Sequence, residues 1–152
     1  MKKVSMFVRL LCVAALTPLS SGRYGRAVEP ATVHVEVAGL RSDHGRVWCF
    51  LYNSASGFPK DQNASFKRTS NEIRGNSSSC EFSGVTDGTY AISVYHDENG
   101  NGRLDSNFLG ISKEGVGASN DAKGHLGPPK FKDAMFQMEG TSRSLTIHVN
   151  YL

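Results

Sequence analysis

Residues 88–105 read GTYAISVYHDENGNGRLD, and the two halves of this stretch follow different rules. In the first, Tyr90, Ile92 and Val94 alternate with Ala91, Ser93 and Tyr95, the period-two signature of a half-buried β-strand. In the second, beginning at Asp97, apolar residues give way to Asp, Asn and Gly. The chain therefore predicts a strand that runs straight into a polar, glycine-punctuated loop. Outward from it the alternation recurs, with Val33, Val35 and Val37 against Thr32, His34 and Glu36, and with Leu145, Ile147, Val149 and Tyr151 against Thr146, His148 and Asn150. Turn chemistry falls at residues 42–45, at Thr86-Asp87-Gly88 and at Glu139-Gly140, at spacings that favour hairpins and meanders over crossover helices. The pattern predicts an all-β fold: an antiparallel β-sandwich of about seven strands. One long insertion, residues 107–129, is rich in Gly, Ser and Asn, and its end, PPKFKDAMF, predicts a helical turn after Pro128-Pro129.

The loop carries the chemistry. Counting Asp97 as the first position, oxygen-bearing side chains fall at the first, third, fifth and ninth (Asp97, Asn99, Asn101, Asp105), with Gly102 at the sixth. This is the Asp-x-Asn-x-Asn-Gly spacing of a calcium loop. A hard cation takes roughly six to eight oxygens, alternate residues can turn inward together, glycine permits the bend, and the Arg103 carbonyl at the seventh position adds a ligand. Leu104 is positioned to anchor the loop to the core. The twelfth position of an EF-hand is a bidentate glutamate, but here it is Phe108, so the loop is not an EF-hand. Completion falls to Asp105, Glu98, Glu114 or water, and two certain carboxylates predict a modest affinity, about 10⁻⁴ to 10⁻³ M. A metal-free turn built from Asn and Asp bonding their own backbone is the alternative reading.

Two further features bear on the core. Cys49 in VWCFLY and Cys80 in CEFSGV each share a face with apolar neighbours, so both point inward and are expected to form one bridge across the sandwich. A loop closure of 31 positions corresponds to roughly 3.5 to 4 kcal/mol in the chain-entropy description. Trp48, Phe50 and Tyr52 lie on the face opposite Cys49. They are either an exposed aromatic platform or a surface over which a loop packs, residues 107–129 being the expected cover.

The N-terminus reads MKKVSMFVRLLCVAALTPLSSG, with Lys2, Lys3 and Arg9 ahead of a short apolar run and then small residues. This is the pattern of a secretory signal peptide. It predicts a leader over residues 1–27, cut after Gly22 or Ala27, and a single domain over residues 28–152 located in the periplasm or secreted. The apolar run is too short to span a bilayer, so no membrane span is expected once the leader is gone. Five of the 17 basic residues and none of the 14 acidic ones precede Val28, which leaves 12 basic against 14 acidic, net −2. The pI near 8.8 thus belongs to the precursor, and no basic patch argues for nucleic acid or for an anionic membrane. Cys12 leaves with the leader, and the remaining two cysteines suit an oxidising compartment.

Enzyme chemistry has little to draw on. His96 and Asp97 are strand neighbours and point to opposite faces, and no nucleophile elbow or dinucleotide fingerprint occurs. The reading that follows is a non-enzymatic exported protein in which Ca²⁺, held by Asp97, Asn99, Asn101, Arg103, Asp105 and Glu114, orders a surface for an extracytoplasmic protein or glycan. Two alternatives stand beside it: a hydrolase with its site under residues 107–129 near His96 and His125, and a calcium-independent recognition module using Trp48, Phe50 and Tyr52.

Residues 88–121, GTYAISVYHDENGNGRLDSNFLGISKEGVGASND, followed by GPPKFKDAMF at 127–136, resemble the bacterial proteins grouped as domain-of-unknown-function family 2141. The likeness extends from about Ala31 to Leu152 and is most specific in HDENGNGRLD together with Lys113-Glu114-Gly115 and Gly127-Pro128-Pro129; Ser112 stands where proline is expected. The resemblance implies an exported β-sandwich of bacterial, Gram-negative origin, similar to prealbumin-like and carboxypeptidase-regulatory-like modules, within the prealbumin-like or Ig-like sandwich class that the strand pattern predicts. It implies no substrate.

Overall fold

The computed structural model describes residues 31–152; the expected leader, its two cleavage positions and Cys12 lie outside the described residues. Eight strands form in chain order: β1 (Thr32–Ala38), β2 (Arg46–Tyr52), β3 (Lys67–Asn71), β4 (Ser78–Ser83), β5 (Gly88–Asp97), β6 (Val116–Ala118), β7 (Phe136–Met138) and β8 (Ser142–His148). They make two sheets. One has the order β4-β1-β8; in the other β3, β2 and β5 lie side by side, and β6 and β7 share the remaining edge of β5 end to end. The expected sandwich is present, with one strand more than the sequence pattern suggests. Its short strands β6 and β7 are three residues each, too brief for a period to show. The expectation of antiparallel pairing holds for every strand pair but one. β1 and β8 pair in parallel, with Val33 opposite Arg143, Val35 opposite Leu145 and Val37 opposite Ile147. The long connection that a parallel pair requires is here the rest of the sandwich.

Apolar alternation decides which face of each strand turns inward. Val33, Val35 and Val37 are all but fully buried, together with Cys49, Leu51, Ile92, Val94, Phe82 and Ile147. Side chains of this kind contribute about 1.5–3 kcal/mol each when withdrawn from water. Cys49 on β2 and Cys80 on β4 form the expected disulfide, their Cα atoms 6.5 Å apart, and it joins one sheet to the other through this core.

The outer face of β2 and β5 departs from the half-buried expectation. Ala91, Ser93 and Tyr95 are buried as well as their inward neighbours, because this face carries a second apolar layer. Phe50 stacks on Tyr95 at 5.7 Å, Tyr52 meets the edge of Phe58 at 5.3 Å, and Phe58 meets Phe131 at 5.7 Å. Phe50 and Tyr52 are therefore no platform, and Trp48 alone of the three stays partly exposed. The cover comes from Phe58 and Ala64 in the excursion between β2 and β3, from Leu104 and Phe131, and, within the expected stretch 107–129, from Val116. Phe131 opens the helical turn α1 (Phe131–Ala134), where the sequence places one. Ser119 Oγ pins that turn to the sheet, donating to the Ala134 carbonyl at 2.5 Å and accepting the Ile92 N–H at 2.9 Å.

Candidate cation-binding loop

β5 delivers Asp97 as its last residue, and the register of β2 against β5 sets Arg46 opposite it and Trp48 diagonally across, with Trp48 Nε1 donating to Asp97 Oδ2 at 3.3 Å. The turn before β2 closes against the same point. Gly45 has φ +73°, and a Cβ there would lie 1.8 Å from the Asp97 carbonyl oxygen, so no other residue fits. Beyond Asp97 the loop folds on its own side chains. The Asn101 N–H donates to both Asp97 Oδ1 and Asn99 Oδ1 at 3.0 Å, the Gly102 N–H to Asp97 Oδ2 at 2.8 Å, and the Arg103 N–H to Asn101 Oδ1 at 2.8 Å. Gly102 supplies the left-handed bend, φ +74°, that lets successive N–H groups face inward. Asp105 Oδ2 accepts both amide groups, from Asn99 Nδ2 at 2.7 Å and Asn101 Nδ2 at 3.0 Å. Leu104 packs on the Phe50, Tyr52 and Tyr95 cluster, anchoring the loop as its position suggests.

Glu114 enters from sixteen residues beyond Glu98 and takes one N–H from each end of the loop, Glu98 N–H on Oε1 and Asp105 N–H on Oε2, both at 3.0 Å. It stands as a brace between the loop's two ends. Glu98 turns away: both its oxygens meet the Arg41 guanidinium, Nε at 2.8 Å from Oε1 and Nη2 against Oε2. That hydrogen-bonded pair holds the Glu98 carboxyl below its ordinary range and raises Arg41. Arg41 lies 4.4 Å over the Tyr151 ring, and its backbone N–H donates to Tyr151 Oη at 3.0 Å. His96, wholly buried, is spoken for at both nitrogens. Nε2 lies 2.7 Å from the His44 carbonyl, which can only accept, so Nε2 donates, and Nδ1 lies 2.7 Å from Tyr151 Oη. A histidine so enclosed is a strut between loop, strand and C-terminal segment.

Two carboxylates of the loop, Asp97 and Glu114, are 1% and 4% exposed, and neither makes an ion pair among the described residues. Burying an anion is costly unless a cation or a full set of hydrogen bonds compensates. Hydrogen bonds do part of this. A carboxylate has about four acceptor sites and an amide oxygen two; Asp97 uses three, Glu114 two, and Asn99 and Asn101 one each on oxygen. Acceptor capacity therefore remains on four side chains of one loop. Among the described residues no three His, Cys, Asp or Glu side chains gather closely enough to hold a metal by themselves. Asp97, Asp105 and Glu114 are thus not a carboxylate triad, and any ion here would depend on the amide and carbonyl oxygens, a donor set suited to calcium rather than to a transition metal.

Elsewhere the structure holds two features the sequence reading did not single out. Asp121 accepts the His148 N–H on Oδ1 and meets His148 Nδ1 with Oδ2, each at 2.8 Å. Burial pushes the Asp121 carboxyl up, but these His148 contacts outweigh it and hold it below its ordinary value. Tyr95 Oη is buried without a hydrogen-bond partner; Gln62 lies near it but not in bonding geometry, and burial pushes the phenol up to about 12. Neither feature shows as a spacing in the sequence, because each joins segments far apart in the chain. Two surface clefts, lined by residues such as Glu36, Arg46, Asn71 and Glu81, include neither His96 nor His125.

Among the described residues no helix is long and apolar enough to cross a membrane. No curated protein and no solved structure matches the chain. Residues 35–146 match the family described as an uncharacterized protein conserved in bacteria, DUF2141, a span that takes in both bridged cysteines and the whole Asp97 loop. The chain belongs to this family.

Proposed function

We propose that this DUF2141 protein is an exported, non-enzymatic β-sandwich whose 97–114 loop takes a calcium ion and thereby fixes a surface for an extracytoplasmic partner. The observation that carries the reading is the pair of buried carboxylates, Asp97 and Glu114, on one loop, neither of which makes an ion pair among the described residues. A cation among Asp97, Asn99, Asn101, the Arg103 carbonyl and Asp105 would supply the missing positive charge. To admit it, the Asn99 and Asn101 amides that now donate to Asp105 Oδ2 would turn their oxygens inward. Glu114 keeps its two N–H groups and braces the loop whether or not the ion is present. Export is supported by the leader-like N-terminus and by the disulfide, which persists in an oxidising compartment.

A ligand that binds only the native state stabilises it by RT ln(1 + [L]/Kd). With the affinity expected of such a loop, about 10 mM calcium raises the melting temperature of the purified protein by roughly 5–10 °C over chelator. The Asp97→Asn variant loses that increment. Identical melts of the wild type in calcium and in chelator would remove the ion from the account.

A further inference from the structure

Residues 106–112, SNFLGIS, form a small ordered hairpin. Ser106 and Ser112 pair as a β-bridge, the Asn107 N–H donates to the Ile111 carbonyl at 2.8 Å, and the Gly110 N–H donates to the Asn107 carbonyl at 2.9 Å. Asn107 Oδ1 accepts the N–H groups of Leu109 and Ile111 at 2.9 and 3.0 Å, closing the turn from inside. On this hairpin Phe108 is 95% exposed, Leu109 67% and Ile111 43%. Single exposed apolar residues are ordinary on protein surfaces. Three of them on one turn, presented outward by backbone bonds and an asparagine side chain, form a patch.

The patch has an electrostatic collar. Arg103 and Lys113 flank the hairpin in the chain, with Asp105 between them and Glu114 next to Lys113 but buried on the N–H groups of Glu98 and Asp105; both cations are exposed and make no ion pair among the described residues. Asp105 is already engaged by two amide groups. The surroundings of the tip are open, with nothing within 4 Å of a Cβ placed on Gly110. An aromatic and two aliphatic exposed side chains on a turn, flanked along the chain by exposed cations, match the groups met on entering a phospholipid leaflet: phosphate outside, hydrocarbon within.

We propose that the 106–112 hairpin is a peripheral membrane anchor, inserting Phe108, Leu109 and Ile111 into the interfacial region of a phospholipid bilayer while Arg103 and Lys113 meet lipid phosphates. The anchor goes beyond the calcium reading and does not require the ion. Because it is one short turn, its binding is weak and reversible, and anionic lipid strengthens it through the two cations.

The test is co-sedimentation of the purified full chain with vesicles of phosphatidylcholine and of phosphatidylglycerol, in calcium and in chelator, comparing wild type with Phe108→Asp/Leu109→Asp. Any contribution of the first 30 residues is common to both proteins, and these exposed side chains leave the melting temperature unchanged. The double variant loses about tenfold or more in partitioning to both vesicles. A Phe108→Trp variant gains fluorescence quenched by brominated acyl chains, beyond the signal of Trp48. Equal partitioning of wild type and double variant, or no binding by either, overturns the proposal. So does a tip variant that changes only the oligomeric state, which would make the hairpin a contact between copies.

Discussion

The bridged interior and the 97–114 loop hold their backbone by opposite chemistry. Around Cys49 and Cys80 the chain is fixed by apolar burial and one covalent link between sheets, neither of which responds to pH or ions in the ordinary range. From Asp97 to Glu114 it is fixed by side-chain oxygens on backbone N–H groups, with apolar contact supplied chiefly by Leu104. The first arrangement makes the fold. The second makes a local structure whose stability depends on charge, and it is where the proposed calcium would act.

The largest expected effect comes from breaking the first. Removing the bridge in a Cys49→Ala/Cys80→Ala variant costs about 3.5–4 kcal/mol, read as a melting temperature lower by roughly 10–15 °C, while the response to calcium persists. Gly45→Ala tests the point where core and loop meet. A Cβ 1.8 Å from the Asp97 carbonyl, on a backbone at φ +73°, costs about 2–4 kcal/mol by denaturant titration, and it weakens the loop as well as the sandwich. Glu114→Gln keeps the shape of the brace but turns an NH₂ group toward the N–H of Glu98 or Asp105, at a cost of about 1–3 kcal/mol. Hydrogen exchange checks its location, since protection is lost at those two amides and not in β1.

The smallest effect is the dependence on pH. Arg41 holds the Glu98 carboxyl below its ordinary range, so the native state binds fewer protons there than the unfolded chain. Its contribution is present above the unfolded carboxylate pKa and is lost as pH falls through the lower, folded one. The Arg41→Ala variant therefore shows a shallower loss of stability below the ordinary carboxylate range than wild type, measured by melts across acidic pH.

Much of the bridged interior was legible in the sequence. The valines of β1 announce their face by strict alternation, and Cys49 and Cys80 each sit among apolar partners of the same parity, so a bridge through the core follows. The second face of β5 was not legible, because Ala91, Ser93 and Tyr95 read as exposed until Phe58 and Phe131 arrive from distant segments. The parallel pairing of β1 with β8 was hidden for the same reason, since short turns speak only for neighbours in the chain. In the loop, spacing identified Asp97, Asn99, Asn101 and the bend at Gly102. It said nothing of how Glu98 and Glu114 divide their tasks, which depends on Arg41 and on two amide groups that only the fold brings near.

The central claim, that this loop takes calcium, is tested most directly by following backbone amide NMR signals of the purified protein during calcium addition. The account predicts saturable shifts concentrated at Asn101, Gly102, Arg103 and Asp105, with half-saturation at about 10⁻⁴ to 10⁻³ M and the amides of β1 and β4 unmoved. Signals from residues 97–105 that stay fixed up to about 10 mM calcium, well above that range, would contradict it and leave the loop a metal-free clasp.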